Sequence, residues 1–143
     1  MSEETKVPQN TEVEETERAG QNKYESLQFN ATINNRFSEE LTVASPNISW
    51  GKFVEGPNNI PKKQVKIGFK AWGRQDSPSG TEGRVKYQVG KNPDKYFEIN
   101  WSVPLSGSSS LDIKSSPDVK VDKEGWNGSY WSENVIITVG SAN

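Results

Sequence analysis

The sequence predicts an all-β fold, an antiparallel β-sandwich, on three observations. Apolar residues recur at every second position over short runs. Gly, Pro, Asn and Ser clusters separate those runs at the spacing of sandwich strands. No apolar stripe of helical period persists beyond two turns. The 143 residues suit one domain, and only 31% of them are hydrophobic. Many of these are aromatic rather than leucine, which suits thin sheet layers better than a helical bundle.

Residues 1–22 differ from the rest. They hold six Glu against Lys6 and Arg18, net −4, so the remaining chain carries +2. They contain no aromatic residue, and only Val7 and Val13 as β-branched aliphatics. That is too little apolar surface to offset the entropy of ordering. Residues 1–22 are therefore expected to form a disordered acidic tail, and residues 23–143 the folded domain.

The first strand is read from Leu27, Phe29, Ala31 and Ile33, which alternate with Gln28, Asn30, Thr32 and Asn34; Asn34–Asn35 supply a turn. Glu40–Val43 reads as a second strand, broken by Pro46 and Asn47. β character resumes over Ile48–Val54 and ends at Gly56-Pro57-Asn58-Asn59. Over Gln64–Trp72 the apolar parity is Val65, Ile67, Phe69 and Ala71, and the opposite face carries Lys66, Gly68, Lys70 and Trp72. Gly83–Val89 alternates Val85, Tyr87 and Val89, and Asn92-Pro93-Asp94 reads as a turn. Phe97, Ile99, Trp101 and Val103 share one side of a strand over Tyr96–Val103. Pro104–Ser110 is a Ser/Gly loop. Short strands are expected at Leu111–Lys114 and Asp118–Val121, a loop at Gly125–Gly128, and a last strand at Asn134–Val139.

The inventory excludes several chemistries. Cysteine is absent, so there is no disulfide framework and no thiolate metal site. Histidine is absent too, which removes the commonest general base and metal ligand together. Zinc hydrolysis and Ser-His-Asp catalysis are out, and no cofactor is expected. The N-terminus MSEETKVPQN has no apolar core of a signal peptide. The longest aliphatic run, Val135–Val139, is far too short to span a bilayer. A soluble product made without a signal peptide is expected, one that would meet a membrane from outside as a folded surface binder.

Two catalytic readings are weak. In KAWGRQDSPSGTEGR (residues 70–84), Gly80 and Gly83 are followed by a strand pattern rather than a helix, so no helix N-terminus would meet a phosphate. Asp76, Glu82 and Glu98 could serve glycoside hydrolysis, but nothing in the sequence sets two of them at a fixed separation. The stronger feature is five tryptophans: Trp50, Trp72, Trp101, Trp126 and Trp131. Two or three can fill a sandwich core, which leaves at least two exposed near loops. Tryptophan favours membrane interfaces and binding surfaces. The nearby Lys52, Lys70 and Arg74 would suit phosphate head groups or sugar stacking equally.

Asn47-Ile-Ser-Trp50-Gly-Lys-Phe, Ala71-Trp-Gly-Arg74-Gln-Asp76, Gly80-Thr-Glu-Gly83, Trp101-Ser-Val-Pro104 and Ile137-Thr-Val139 follow one another in an order and spacing that resembles the aegerolysins. The resemblance covers roughly residues 26–140. It implies a small β-sandwich protein, not an enzyme, that recognises membrane lipids. Sphingolipids with a phosphoethanolamine or phosphocholine head group are notable among them. It further implies a component of a cytolytic or insecticidal toxin that acts with a larger pore-forming partner; nucleic acid is not an expected partner. Trp50 and Trp101 match family tryptophans. Leu105 falls where lipid-binding fungal members place a tryptophan, and Ser79 where they place a glutamate. Trp72 stands in place of a cysteine. The expected lipid-binding residues are therefore Trp50, Trp72, Arg74, Ser79, Trp101 and Leu105. The alternative is a carbohydrate-binding sandwich module that stacks the same aromatics on sugar rings.

Residues 1–22 offer nothing to a core. A chain beginning at Lys23 is expected to melt within about 4 °C of the full-length protein. A larger loss in a thermal scan would mean that this stretch packs on the domain.

Overall fold

A computed structural model describes residues 24–128 and 131–142; the stretch read as a tail lies outside them. The strands are β1 (Gln28–Asn35), β2 (Leu41–Trp50), β3 (Lys52–Glu55), β4 (Val65–Trp72), β5 (Thr81–Val89), β6 (Asn92–Val103), β7 (Ser110–Ser115), β8 (Val119–Glu124) and β9 (Ser132–Ser141). They form two sheets, in the orders β3-β4-β1-β9-β8 and β2-β5-β6-β7. No helix occurs among the described residues. The pairings are antiparallel with one exception: β1 and β9, the first and last strands, run parallel.

The core lies between the sheets. Leu27, Phe29, Ala31 and Ile33 are buried from the five-stranded sheet, and Phe97, Ile99, Trp101 and Val103 from the other, with the parity expected of each strand. Trp101, read from the sequence as a lipid-binding residue, is instead a core residue with only 2% of its surface exposed. Its ring stacks on Phe29 at 5.5 Å and 6° and lies 5.0 Å from Phe69. Its indole N–H donates to the Thr81 hydroxyl at 3.1 Å. The side chain points inward because it shares the parity of Phe97 and Ile99, and burial is tolerable because its one donor is satisfied. Tyr87 stacks on Phe97 and donates its hydroxyl to the Asn58 carbonyl at 2.9 Å. Burial pushes its phenol well above the usual tyrosine range.

Four further expectations are corrected. Pro46 and Asn47 do not break a strand: β2 continues through them with register shifts at Val43/Ser45 and Ile48/Trp50. β2 is an edge strand with β5 as its one neighbour, the position in a sheet where a proline is tolerated. Asn92-Pro93-Asp94 begins β6 rather than forming the turn, which falls at Gly90–Lys91. Asn35 closes β1 as a buried side chain rather than a turn residue. Its amide donates to the Glu39, Ile60 and Pro61 carbonyls and its oxygen accepts from the Phe37 N–H.

The fourth correction concerns β4. Phe69 and Ala71 are buried, but Val65 and Ile67 are 56% and 37% exposed. The register steps from Ala31↔Phe69 to Thr32↔Ile67, so β4 carries one extra residue, Gly68. A β-bulge of this kind reverses the facing of every residue beyond it. Glycine is needed there because a Cβ would drive into the Ile33 side chain.

Trp101→Ala is expected to cost about 3–5 kcal/mol, since it deletes a buried aromatic and strands the Thr81 hydroxyl. Urea unfolding checks this; a loss under about 1 kcal/mol would mean that the ring is dispensable to packing.

Candidate functional site

At the end of the sandwich where β1 begins and β4 stops, the connections cluster. The β2–β3 turn at Gly51 sits against the last residue of β4, and a Cβ there would collide with the Trp72 carbonyl, in a backbone of φ +90°. That tight reversal ends β2 on Trp50, whose side chain is 53% exposed. Immediately beyond the turn, Lys52 forms an ion pair with Glu25 at 2.6 Å. Residues 73–80, the loop after β4, bring Arg74 and Asp76 to the same place, 3.7 Å apart and both well exposed.

These residues line two adjoining depressions. A groove of about 710 Å³ is bounded by Lys52, Arg74, Gln75 and Asp76. A recess of about 300 Å³ lies between Ser49, Trp50, Gly51, Arg74, Asp76 and Ser77. Arg74 and Asp76 belong to both. The arrangement offers two cations, one carboxylate and an indole face within one surface, and can take a small polar group with opposed charges. No cluster of three metal-ligating side chains occurs among the described residues.

The expected site residues divide accordingly. Trp50 and Arg74 stand in this cluster. Ser79 is half-buried and shares a hydrogen bond of 2.7 Å with Ser77, so it shapes the loop. Leu105 is half-buried and packs against the core. Trp72 lies on the outward face of the five-stranded sheet, half-buried, with its indole N–H donated to Asn30 at 2.9 Å. The Asn30 amide donates in turn to Gln28 and Asn134. Trp101 is in the core.

The list drawn from the sequence omitted three residues at this end. Lys52 appeared there only as a neighbouring charge. Trp131 is 50% exposed at the foot of β9, where its carbonyl accepts from the Gln28 N–H. Glu133 is fully buried, and its two oxygens accept from the backbone N–H groups of Asn127 and Gly128 at 3.0 and 2.9 Å. It anchors the β8–β9 loop, whose Trp126 meets Phe29 edge-on. One parity signal was available: Glu133 has the facing of Val135, Ile137 and Val139.

A family model, Aegerolysin, matches residues 26–142. The chain belongs to the aegerolysin family. Solved structures agree on the fold. The RahU protein, crystallised with a TRIS molecule, superposes with a TM-score of 0.72 at 18% identity, over 83% of this chain and 98% of that one. IP-1A from Alcaligenes faecalis gives 0.70 at 23% identity, over 87% and 98%. The lipid binding protein Nakanori gives 0.65 at 12%, over 89% and 80%. Among curated protein sequences there is no significant match. The sandwich seen in this aegerolysin is thus the fold that its sequence motifs imply.

Glu133→Ala should remove two charge-assisted hydrogen bonds from half-buried N–H donors and destabilise the protein by about 3 kcal/mol. Hydrogen exchange at Asn127 and Gly128 should accelerate before the core strands are affected. Unchanged exchange at these amides would show that the carboxylate does not hold the loop.

Proposed function

We propose that this aegerolysin is a non-enzymatic membrane-lipid-binding protein, the lipid-recognising component of a cytolytic or insecticidal toxin whose larger pore-forming partner perforates the membrane. The observation that carries the reading is Trp50, exposed beside Arg74 and Lys52 at the loop end. Tryptophan prefers the bilayer interface, and the adjacent cations suit a phosphate while Asp76 suits an ammonium. A sphingolipid head group with both charges fits this chemistry. Family membership supports the reading, as does the shared fold with Nakanori, a lipid binding protein by description. No described helix is long and apolar enough to cross a membrane, so the division of labour does not rest on a helical span in this chain.

A second reading, carbohydrate binding, has its own observation. The outward row of Gln28, Asn30 and Asn134 presents linked amides beside the half-buried Trp72 ring, a pairing of polar groups and aromatic face that suits a sugar.

Burying the Trp50 side chain in an interface is worth roughly 2 kcal/mol by apolar area. Trp50→Ala should therefore weaken binding to sphingomyelin-containing vesicles about thirtyfold, with unfolding unchanged, and Arg74→Ala should weaken it further on the same vesicles. Bound wild-type protein should release no entrapped dye at nanomolar concentration without a second protein. Wild-type affinity in Trp50→Ala would remove the residue from the site, and rapid dye release by the pure chain would overturn the two-component reading. Binding to glycans with none to vesicles would favour the alternative.

A further inference from the structure

The tryptophans sort by what their rings and N–H groups touch. Trp72 donates to Asn30 and Trp101 to Thr81, so both donors are used inside the fold. Trp126 is half-buried, with its ring edge-on to Phe29. Trp50 and Trp131 differ from these. Both stand about half exposed. Among the described residues neither ring meets another ring, and neither indole N–H has a partner. No other aromatic side chain among the described residues is exposed.

Both indoles stand at the same end of the sandwich. β9 runs parallel to β1 and so starts where β1 starts. β4, antiparallel to β1, stops at that end. β5 starts there, after the loop at 73–80, and β2, antiparallel to β5, ends there on Trp50. Trp131 directly precedes β9, and its carbonyl accepts from the Gln28 N–H at 2.7 Å. Its parity is that of Glu133 and Val135, which point between the sheets. A side chain with that facing, just outside the strand, lies over the end of the core rather than on an outer sheet face. The connection before it is pinned where Glu133 holds the Asn127 and Gly128 N–H groups. β9 lies three strands from β3, whose Lys52 is two residues from Trp50. At about 4.8 Å per strand, the two indoles stand on the order of 15 Å apart. The Arg74 loop issues from β4, between them.

We propose that Trp131 is a second membrane anchor, and that the whole loop end is one docking face for a lipid bilayer. Trp50 and Trp131 enter the bilayer interface at two separate points, one from each sheet, while Lys52 and Arg74 meet head-group phosphates. The inference deepens the lipid-binding reading given above and rests on it. A bilayer interface takes both halves of an indole: the ring packs at the acyl boundary and the N–H donates to a head-group oxygen. That is what a ring without ring partners and an N–H without an acceptor have to offer. One anchor at Trp50 would leave the domain free to tilt. A second on the other sheet sets the strands close to the membrane normal, with the Asn35 end turned away from the bilayer. Because the loop base is fixed before binding, little ordering remains to oppose attachment.

The test is binding of the full-length protein to vesicles of phosphatidylcholine, sphingomyelin and cholesterol. Trp131→Ala should bind about thirtyfold less tightly than wild type, since it withdraws as much apolar area as Trp50→Ala, while its urea unfolding is unchanged. Trp131→Tyr keeps an amphipathic ring and should recover most of the loss. With both Trp50→Ala and Trp131→Ala the losses should multiply to about a thousandfold, because sites this far apart act independently. The chain has no cysteine, so a single introduced one can carry an environment-sensitive fluorophore. On bound protein, a label at Asn127→Cys, in the connection before Trp131, should shift to the blue. A label at Lys91→Cys, exposed in the turn at the far end, should not. Wild-type affinity in Trp131→Ala, or a label at position 127 that stays in water on bound protein, would overturn the second anchor and leave the Trp50 site standing. A blue shift at position 91 would overturn the upright orientation. A wild type that does not bind these vesicles would overturn the lipid reading, and this docking face with it.

Discussion

Everything at the loop end is held in place by one buried ring. The indole of Trp101 belongs to the four-stranded sheet, yet its neighbours come from the other: Phe29 on β1, Phe69 on β4 and Phe53 on β3. Phe29 extends the contact to Trp126 in the β8–β9 loop. The N–H of Trp101 reaches Thr81, the first residue after the loop that bears Arg74 and Asp76. Aromatic pairs of this kind fix both distance and angle. The connections carrying Trp50, Arg74 and Trp126 all spring from residues packed on this ring or beside it, so the surface they form inherits the rigidity of the core.

Backbone that leaves the sheets must find partners elsewhere, and two buried polar side chains supply them at opposite ends. Asn35 uses both its amide donors and its oxygen on the connections after β1 and before β4. Glu133 does the same for Asn127 and Gly128 with two carboxylate oxygens. The result is two ends of different character. The Asn35 end is tied into the core around Leu41 and Ile60. The Glu133 end holds its loops firmly at their base while Trp50 and Trp131 remain in solvent. Exposed indoles cost a folded protein something in solubility, and a fixed loop base is what lets them be presented as a surface rather than collapsed onto the chain.

The outward faces of the two sheets are not equivalent. The four-stranded sheet shows solvent alternating charges and amides, Arg84 beside Asn100 and Asp112, and Lys86 beside Glu98 and Lys114. That is an ordinary solvated face. The five-stranded sheet shows a linked amide row toward the loop end and, beyond Gly68, a set of aliphatics. A single inserted residue in β4 produces that second region by turning Val65 and Ile67 outward.

The alternation of apolar residues by itself determined the sandwich and the inward sets of β1 and β6, because burial on one face of a pleated strand imposes a period of two, and the composition, with no histidine and no cysteine, ruled out a site built on either. The motif order from Trp50 to Val139 determined the family. What alternation cannot carry is an interruption of its own period: Gly68 looked like one more outward residue of β4, and only its pairing with β1 shows the bulge. Nor could sequence separate Trp101 from Trp50. Both are tryptophans next to strand ends, and their roles part because one side chain finds three phenylalanines across the core while the other, beyond a glycine turn at a sheet edge, finds none. The meeting of Lys52, Arg74 and Asp76 was likewise decided by the folded chain, since two loops from different strands bring them together and nothing local in either loop refers to the other.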